Sequence, residues 1–241
     1  MSDQVYLSIV ISAYNESKRI GKTIERINEY LTQQPYRYEI IIVDDGSSDD
    51  TNKIVQSFIK NSVHFRLVDY APNRGKGYAV KTGMLTATGK YVLFTDADLS
   101  TPIEEVERFI SIMESGNYHM VIGSRGLADS EILKHQPWFR EKMGKIFNRF
   151  VHLLVFPGIK DTQCGFKLFR REIISPLFTK QTIDRFSFDV EILYLAQKLG
   201  CRIKEEPVRW INSPATKVNP FTDATRMLFD LTIIKWRHRK V

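Results

Sequence analysis

Apolar and polar positions follow two periods along the first half of the chain. Residues 5–12 form a short β-branched run that reads as a strand, and residues 17–33 place Ile20, Ile24, Ile27 and Leu31 on one face of a helix. Further strands are expected at 39–43, 64–69, 90–95 and 119–123, with helices near 50–60, 74–86 and 102–115. Strands separated by helices indicate an α/β fold with a mainly parallel sheet covered on both faces. Ligands of such sheets bind beyond the carboxyl ends of the strands. The polar stretches 12–16, 44–47 and 96–98 all fall there, so three strand ends are expected to meet at one crevice.

The second half is less regular. Residues 137–156 form a helix candidate carrying Met143, Ile146, Phe147, Phe150, Val151 and Leu154 together with Arg140, Lys142, Lys145 and Arg149. A short strand is expected at 165–169, a helix at 187–199 and a strand at 201–208. Residues 209–221, with Pro214 and Pro220, read as a mobile lid. The last helix, near 222–239, has one apolar stripe of Ala224, Met227, Leu228, Leu231 and Ile234 and a second of Phe229, Ile233 and Trp236. One stripe packs on the domain. The second, ending in Trp236, Arg237, Arg239 and Lys240, suits an anionic membrane interface, with burial on both sides or a dimer contact as the alternative. No repeat, low-complexity segment or linker divides the 241 residues, so a single domain is expected.

Composition narrows the setting. No run approaches the roughly 20 apolar residues of a membrane span, and the first residues lack a signal-peptide pattern, so the expected location is cytoplasmic. Cys164 and Cys201 fit no metal or redox spacing and are expected to be reduced. The formal net charge of +7 calls for an anionic partner, and the basic residues cluster at 134–149 and 202–240. Nucleic acid is the least suited of the candidates, since no recognition motif accompanies these residues.

The sharpest chemical signal is at 92–100, where an apolar strand is cut off by Asp96 and Asp98. Alternate strand positions share a side, so the two carboxylates would repel each other without a cation. Mg²⁺ or Mn²⁺, shared with water and a diphosphate, removes that repulsion; a solvated turn before a helix starting at 100–102 is the alternative. Asp44 and Asp45 either meet a ligand or cap the following helix. In the stretch 73–77 the glycines admit a close ligand while Arg74 or Lys76 offsets phosphate charge, a plain turn being the rival.

Together these residues resemble a known family. The stretches 11–16, 43–47, 73–77, 96–100 and 123–125 are similar to the ordered motifs of family 2 glycosyltransferases with the GT-A fold. The stretches 161–169 and 186–191 resemble the dolichyl-phosphate β-glucosyltransferase branch, a sister of the dolichyl-phosphate mannose synthases, and the resemblance covers about residues 5–225. It implies a nucleotide-sugar half near 1–125 and an acceptor and membrane-facing half near 126–241. The activity implied is inverting transfer of glucose from a UDP-glucose donor to dolichyl or polyprenyl phosphate, at the cytoplasmic face of a membrane. A saccharide or protein hydroxyl acceptor, or a non-catalytic nucleotide-sugar module, are the alternatives.

The same resemblance distributes roles. Ala13, Tyr14, Glu16, Asp44 and Asp45 fall to the nucleotide, with Asp45 accepting from uracil N3–H, and Arg74, Lys76, Asp96, Ala97 and Asp98 to the diphosphate sugar. Asp96 and Asp98 hold the metal, the resemblance pointing to Asp98 as the direct ligand. Ser100 stands where mannose synthases often carry a glutamine, leaving a third ligand open. Arg125, Arg140 and Lys217 fall to the acceptor phosphate, with surface ion pairing the bland reading of the arginines; at the lysine's motif Thr216 replaces a serine. Gln163, Gly165 and Lys167 are expected in the substrate pocket, Cys164 packed rather than reactive. Asp189 is a general base in relatives with hydroxyl acceptors; for a phosphate acceptor it is expected to orient the sugar or nearby cations, with Glu191 structural.

Overall fold

The computed structural model describes residues 4–60, 62–213 and 222–241. The strands β1 (Leu7–Ala13), β2 (Tyr38–Asp44), β3 (Phe65–Asp69) and β4 (Tyr91–Asp96) alternate with the helices α1 (Ile20–Leu31), α2 (Thr51–Ile59) and α3 (Lys76–Thr86). Then come α4 (Glu105–Ser115), β5 (Met120–Ser124), β6 (Glu131–Lys134), α5 (Trp138–Leu154), β7 (Phe166–Arg170), α6 (Arg171–Phe178) and α7 (Phe188–Lys198). The chain continues through β8 (Ile203–Pro207), β9 (Arg209–Ile211) and α8 (Thr222–Arg237).

Seven strands form one sheet in the order β3-β2-β1-β4-β7-β5-β8, and β6 pairs with β9 in a separate two-stranded ribbon. The central strands are buried on both faces, which is why they read as continuous apolar runs rather than alternating ones. Their odd and even positions feed different cores. Ile9, Ile11, Ile40, Ile42 and Leu93 pack with α1 and α4 residues such as Ile24, Ile27 and Phe109. Val10, Ile41, Val43 and Phe94 pack on the opposite face with Val80, Phe188, Leu193 and Leu231 from α3, α7 and α8. The Phe94 and Phe188 rings meet edge to face at 5.8 Å, and truncating a ring so placed costs about 3–5 kcal/mol.

One strand departs from the parallel pattern. β7 runs antiparallel to both neighbours, pairing Thr95 with Phe166 and Ile122 with Lys167. Its beginning therefore lies at the carboxyl end of β4, and the residues leading into it, 161–165, arrive at the crevice. The sequence pattern located this strand but not its direction. β6, β9 and α6 went unread. β6 and β9 are only 4 and 3 residues long, and α6 carries Pro176 inside it. Residues 209–211, expected within a lid, are strand β9, and residues 214–221 lie outside the described part.

Candidate active site

The carboxyl ends of β1, β2 and β4 open into a cavity of about 330 Å³, lined by Ser12, Ala13, Tyr14, Glu16, Asp45, Lys76, Asp96, Ala97 and Asp98 among others. The loops that form it are stitched together. The Asn15 amide donates to Ser47 Oγ at 2.9 Å, its side-chain oxygen accepts from the Ser48 amide at 2.8 Å, and the Glu16 amide donates to Thr51 Oγ1 at 2.7 Å. Asp45 holds the next loop: its carboxylate accepts from Asn73 Nδ2 at 2.7 Å and from the amides of Arg74 and Gly75 at 2.8 Å each. Gly75 has φ 109°, and a β-carbon there would stand 2.5 Å from the Asp184 carbonyl oxygen, so only glycine brings that loop so close.

Not every expected residue faces this cavity. Asp44 is buried and accepts the Ser47 amide at 3.0 Å, closing the turn, while Asp45 lines the cavity. Neighbouring positions on a strand end point to opposite sides, which separates the two aspartates. Arg74 lies with its guanidinium 3.4 Å from the centre of the Tyr78 ring and is not part of the lining.

Asp96 and Asp98 face the cavity with a third and a fifth of their side chains exposed. Lys76 Nζ stands 2.7 Å from Asp96 Oδ1, and Arg19 Nη1 4.0 Å from Asp98 Oδ2. Burial, then the charge of Asp96, pushes the Asp98 carboxyl above its ordinary pKa, while the Ser100 amide, donating at 3.0 Å, opposes that. For Lys76 burial disfavours the charge, but Asp96, Asp189 and Asp98 outweigh it and raise its pKa. Against Asp96 sits Gly165, whose β-carbon would fall 1.9 Å from Oδ2. No group of three His, Cys, Asp or Glu side chains fit to hold a metal occurs among the described residues. The pair of crowded carboxylates nevertheless fits a hard divalent ion that takes its remaining oxygens from water and a diphosphate.

Arg19 was not singled out from the sequence, nor was Arg185, and Phe186 entered only as the first residue of the stretch 186–191; both Arg185 and Phe186 line the cavity. Arg19 is held to Glu16 by a charge-paired hydrogen bond from Nη2 of 2.6 Å. Only the meeting of α1 with the end of β4 brings it to Asp98, so no local spacing marks it.

A second cavity, of about 460 Å³, lies between α5 and residues 160–163, and is lined by Arg125, Arg140, Lys145, Arg149, Lys160 and Gln163 with Phe147, Ile132 and Trp210. Arg125 forks onto Asp161 through Nε at 2.7 Å and Nη2 at 2.9 Å. Burial opposes both charges, but each partner favours the other: Arg125 is raised further and Asp161 is lowered to about 2. Gln163 Nε2 is buried with no hydrogen-bond partner among the described residues, a polar atom that ordinarily calls for one. Lys167 and Asp189 line neither cavity; they are 2% and 3% exposed and pair at 2.5 Å. Burial pushes the Cys164 thiol up to about 11, in keeping with packing rather than reactivity. Glu191 is wholly buried, and Lys217 lies outside the described residues.

The family model for glycosyl transferase family 2 matches residues 8–178. The chain belongs to this family. Within it, this family 2 chain is 41% identical to a dolichyl-phosphate beta-glucosyltransferase of Dictyostelium discoideum, over 98% of this chain and 76% of that one. It is 35% identical to the enzyme of the same name from Homo sapiens, over 96% and 75%. Among solved structures it superposes on glucosyl-3-phosphoglycerate synthase from Mycobacterium tuberculosis in complex with Mn²⁺, UDP-glucose and phosphoglyceric acid. The TM-score there is 0.69, with 18% identity, 98% of this chain and 80% of that one covered. The GT-A fold and the glycosyltransferase class expected from the motifs are those of the family.

Proposed function

We propose that this glycosyltransferase moves glucose from UDP-glucose to the phosphate of dolichol or another polyprenol, forming a β-linked product. The observation that carries the reading is the run 161–167, which joins two chemically different cavities. Asp161 to Gln163 line the cationic one, while Gly165 backs Asp96 in the acidic one. The acidic cavity takes the nucleotide sugar, Ala13, Tyr14, Glu16 and Asp45 meeting the nucleoside and Lys76 and Arg19 the diphosphate. Asp96 and Asp98 hold Mg²⁺ or Mn²⁺, which supplies charge neutralisation for the departing diphosphate. In the second cavity Arg140, the remaining N–H groups of Arg125, and Gln163 receive the acceptor phosphate.

An acceptor phosphate oxygen attacks the anomeric carbon from the face opposite UDP; the new C–O bond forms as the bond to the β-phosphate oxygen breaks, and configuration inverts. A phosphate monoester with a second pKa of about 6 is already largely a dianion at neutral pH, so no side chain has to remove a proton. The chain's contribution is alignment and electrostatic support.

No described helix is long and apolar enough to cross a membrane. A peripheral approach is supported by α5, whose Trp138 and Leu153 are 75% and 78% exposed beside the basic second cavity. Phe229 and Trp236 on α8, which packs against α5, are also exposed, at 71% and 65%. The decisive experiment offers UDP-glucose and Mn²⁺ with polyprenyl phosphate and, separately, with saccharide acceptors. Glucosyl phosphoryl polyprenol is the expected product, lost in Asp96→Ala and Arg140→Ala; transfer to sugar hydroxyls alone would overturn the reading.

A further inference from the structure

The carboxylate of Glu191 on α7 is 0% exposed. It accepts the Thr182 amide at 3.0 Å, the Ile183 amide at 2.8 Å, the Thr182 hydroxyl at 2.7 Å and Nε2–H of His238 at 2.7 Å. His238 follows α8 directly and is 4% exposed, although Trp236, two residues earlier, is 65% exposed. The end of α8 thus turns inward at one side chain, and that side chain meets a buried carboxylate.

The segment held by Glu191 is the back of the donor cavity. Gln181 Nε2 donates to the Gly77 and Ile183 carbonyls at 2.9 and 2.8 Å, and the Tyr78 amide donates to the Asp184 carbonyl at 3.1 Å. The next two residues, Arg185 and Phe186, line the cavity itself. Gly75 and Gly77 are pressed against the carbonyls of Asp184 and Ile183, and between them stands Lys76, paired to Asp96. Hydrogen bonds and backbone contacts therefore run unbroken from His238, through Glu191 and residues 182–186, to the residue that touches Asp96.

We infer that His238 is a positioning residue for donor binding, holding residues 182–186 and the start of α3 in the geometry that the nucleotide sugar meets. The inference rests on the donor cavity proposed above. It gives α8 a role on the donor side that is separate from its exposed Phe229 and Trp236. Without His238 a buried carboxylate lacks one donor, and relaxation of the bonds it shares with residues 182–183 is transmitted to Lys76 and Arg185.

The test compares His238→Ala, His238→Gln and, as a control on the exposed face of α8, Phe229→Ser. UDP binding is measured by calorimetry with Mn²⁺, and KM for polyprenyl phosphate is measured on the same preparations below each variant's Tm. His238→Ala is expected to weaken UDP by about tenfold while KM for the acceptor stays unchanged. Glutamine, whose amide N–H can reach the same carboxylate, is expected to restore most of the affinity, and Phe229→Ser to leave UDP binding intact. The inference falls if His238→Ala binds UDP as the unsubstituted chain does, if donor and acceptor suffer equally, or if glutamine is no better than alanine. Failure of the unsubstituted chain to bind UDP at all would instead sink the donor reading.

Discussion

A single β-carbon at position 165 decides whether Asp96 can stay where it is. That atom would lie 1.9 Å from Asp96 Oδ2 and 2.4 Å from Cγ, so the whole carboxylate would have to move rather than one flexible end. Gly165→Ala is therefore expected to lower metal-dependent turnover by about a hundredfold or more with the far-UV spectrum unchanged; near-normal turnover would show that Asp96 need not occupy this position. Asp161 supports a stability prediction of known sign. Its pKa is held at about 2 by Arg125, below the ordinary carboxylate value, so its contribution is present above pH ~4 and is lost as pH falls through about 2. Asp161→Asn, which leaves the half-buried Arg125 guanidinium without its carboxylate, is expected to cost about 1–3 kcal/mol in urea unfolding at neutral pH. The gap should narrow in acid; a gap independent of pH would assign it to packing. Asp96 was legible because it closes an apolar strand; Asp98 lies in the turn beyond β4, where no strand period extends, and reaches the same cavity through that turn. Arg19 was not legible, because its approach to Asp98 depends on two elements whose distance no local pattern encodes.

Among the elements, the antiparallel strand does the most to shape the site. Had β7 run parallel, its beginning would lie at the far edge of the sheet and residues 161–165 could not reach Asp96. A five-residue strand carries no mark of direction in its sequence, so this could be seen only in the pairing of Thr95 with Phe166. The strands buried on both faces were legible as continuous apolar runs and α1 by its helical period; β6 and β9 were not, since neither has length enough to show a pattern. α5 yields a test of its own. Its exposed Trp138 and Leu153 stand beside basic groups that line the second cavity, an arrangement suited to a lipid chain attached to a phosphate. The double change Trp138→Ser with Leu153→Ser is expected to weaken binding to anionic vesicles and raise KM for long polyprenyl phosphates several-fold, leaving UDP affinity unaltered in calorimetry. Equal loss with short and long acceptors would remove α5 from the lipid surface.

Across the whole molecule, charge pairs join distant elements, and two of them are linked beneath the donor cavity, Asp96 with Lys76 and Asp189 with Lys167, Asp189 also favouring the charge on Lys76. Burial pushes the Asp189 carboxyl up, while Lys167 and then Lys76 oppose that shift. Such an arrangement can supply either a proton acceptor or electrostatic balance beneath the donor cavity. Asp189→Asn alone cannot distinguish them, since it strands the ammonium of Lys167 in the core at a cost of about 3–5 kcal/mol. Removing both charges, Asp189→Asn with Lys167→Gln, restores neutrality without restoring a base. If the acceptor is a phosphate that enters as an anion, the double variant is expected to recover turnover to within about tenfold of the original. The acid limb of its kcat/KM profile should stay near pH ~6, set by the acceptor. Loss of a true general base would instead cost about a hundredfold to ten-thousandfold in the single and double variants alike, and that outcome would return the reaction to a hydroxyl acceptor.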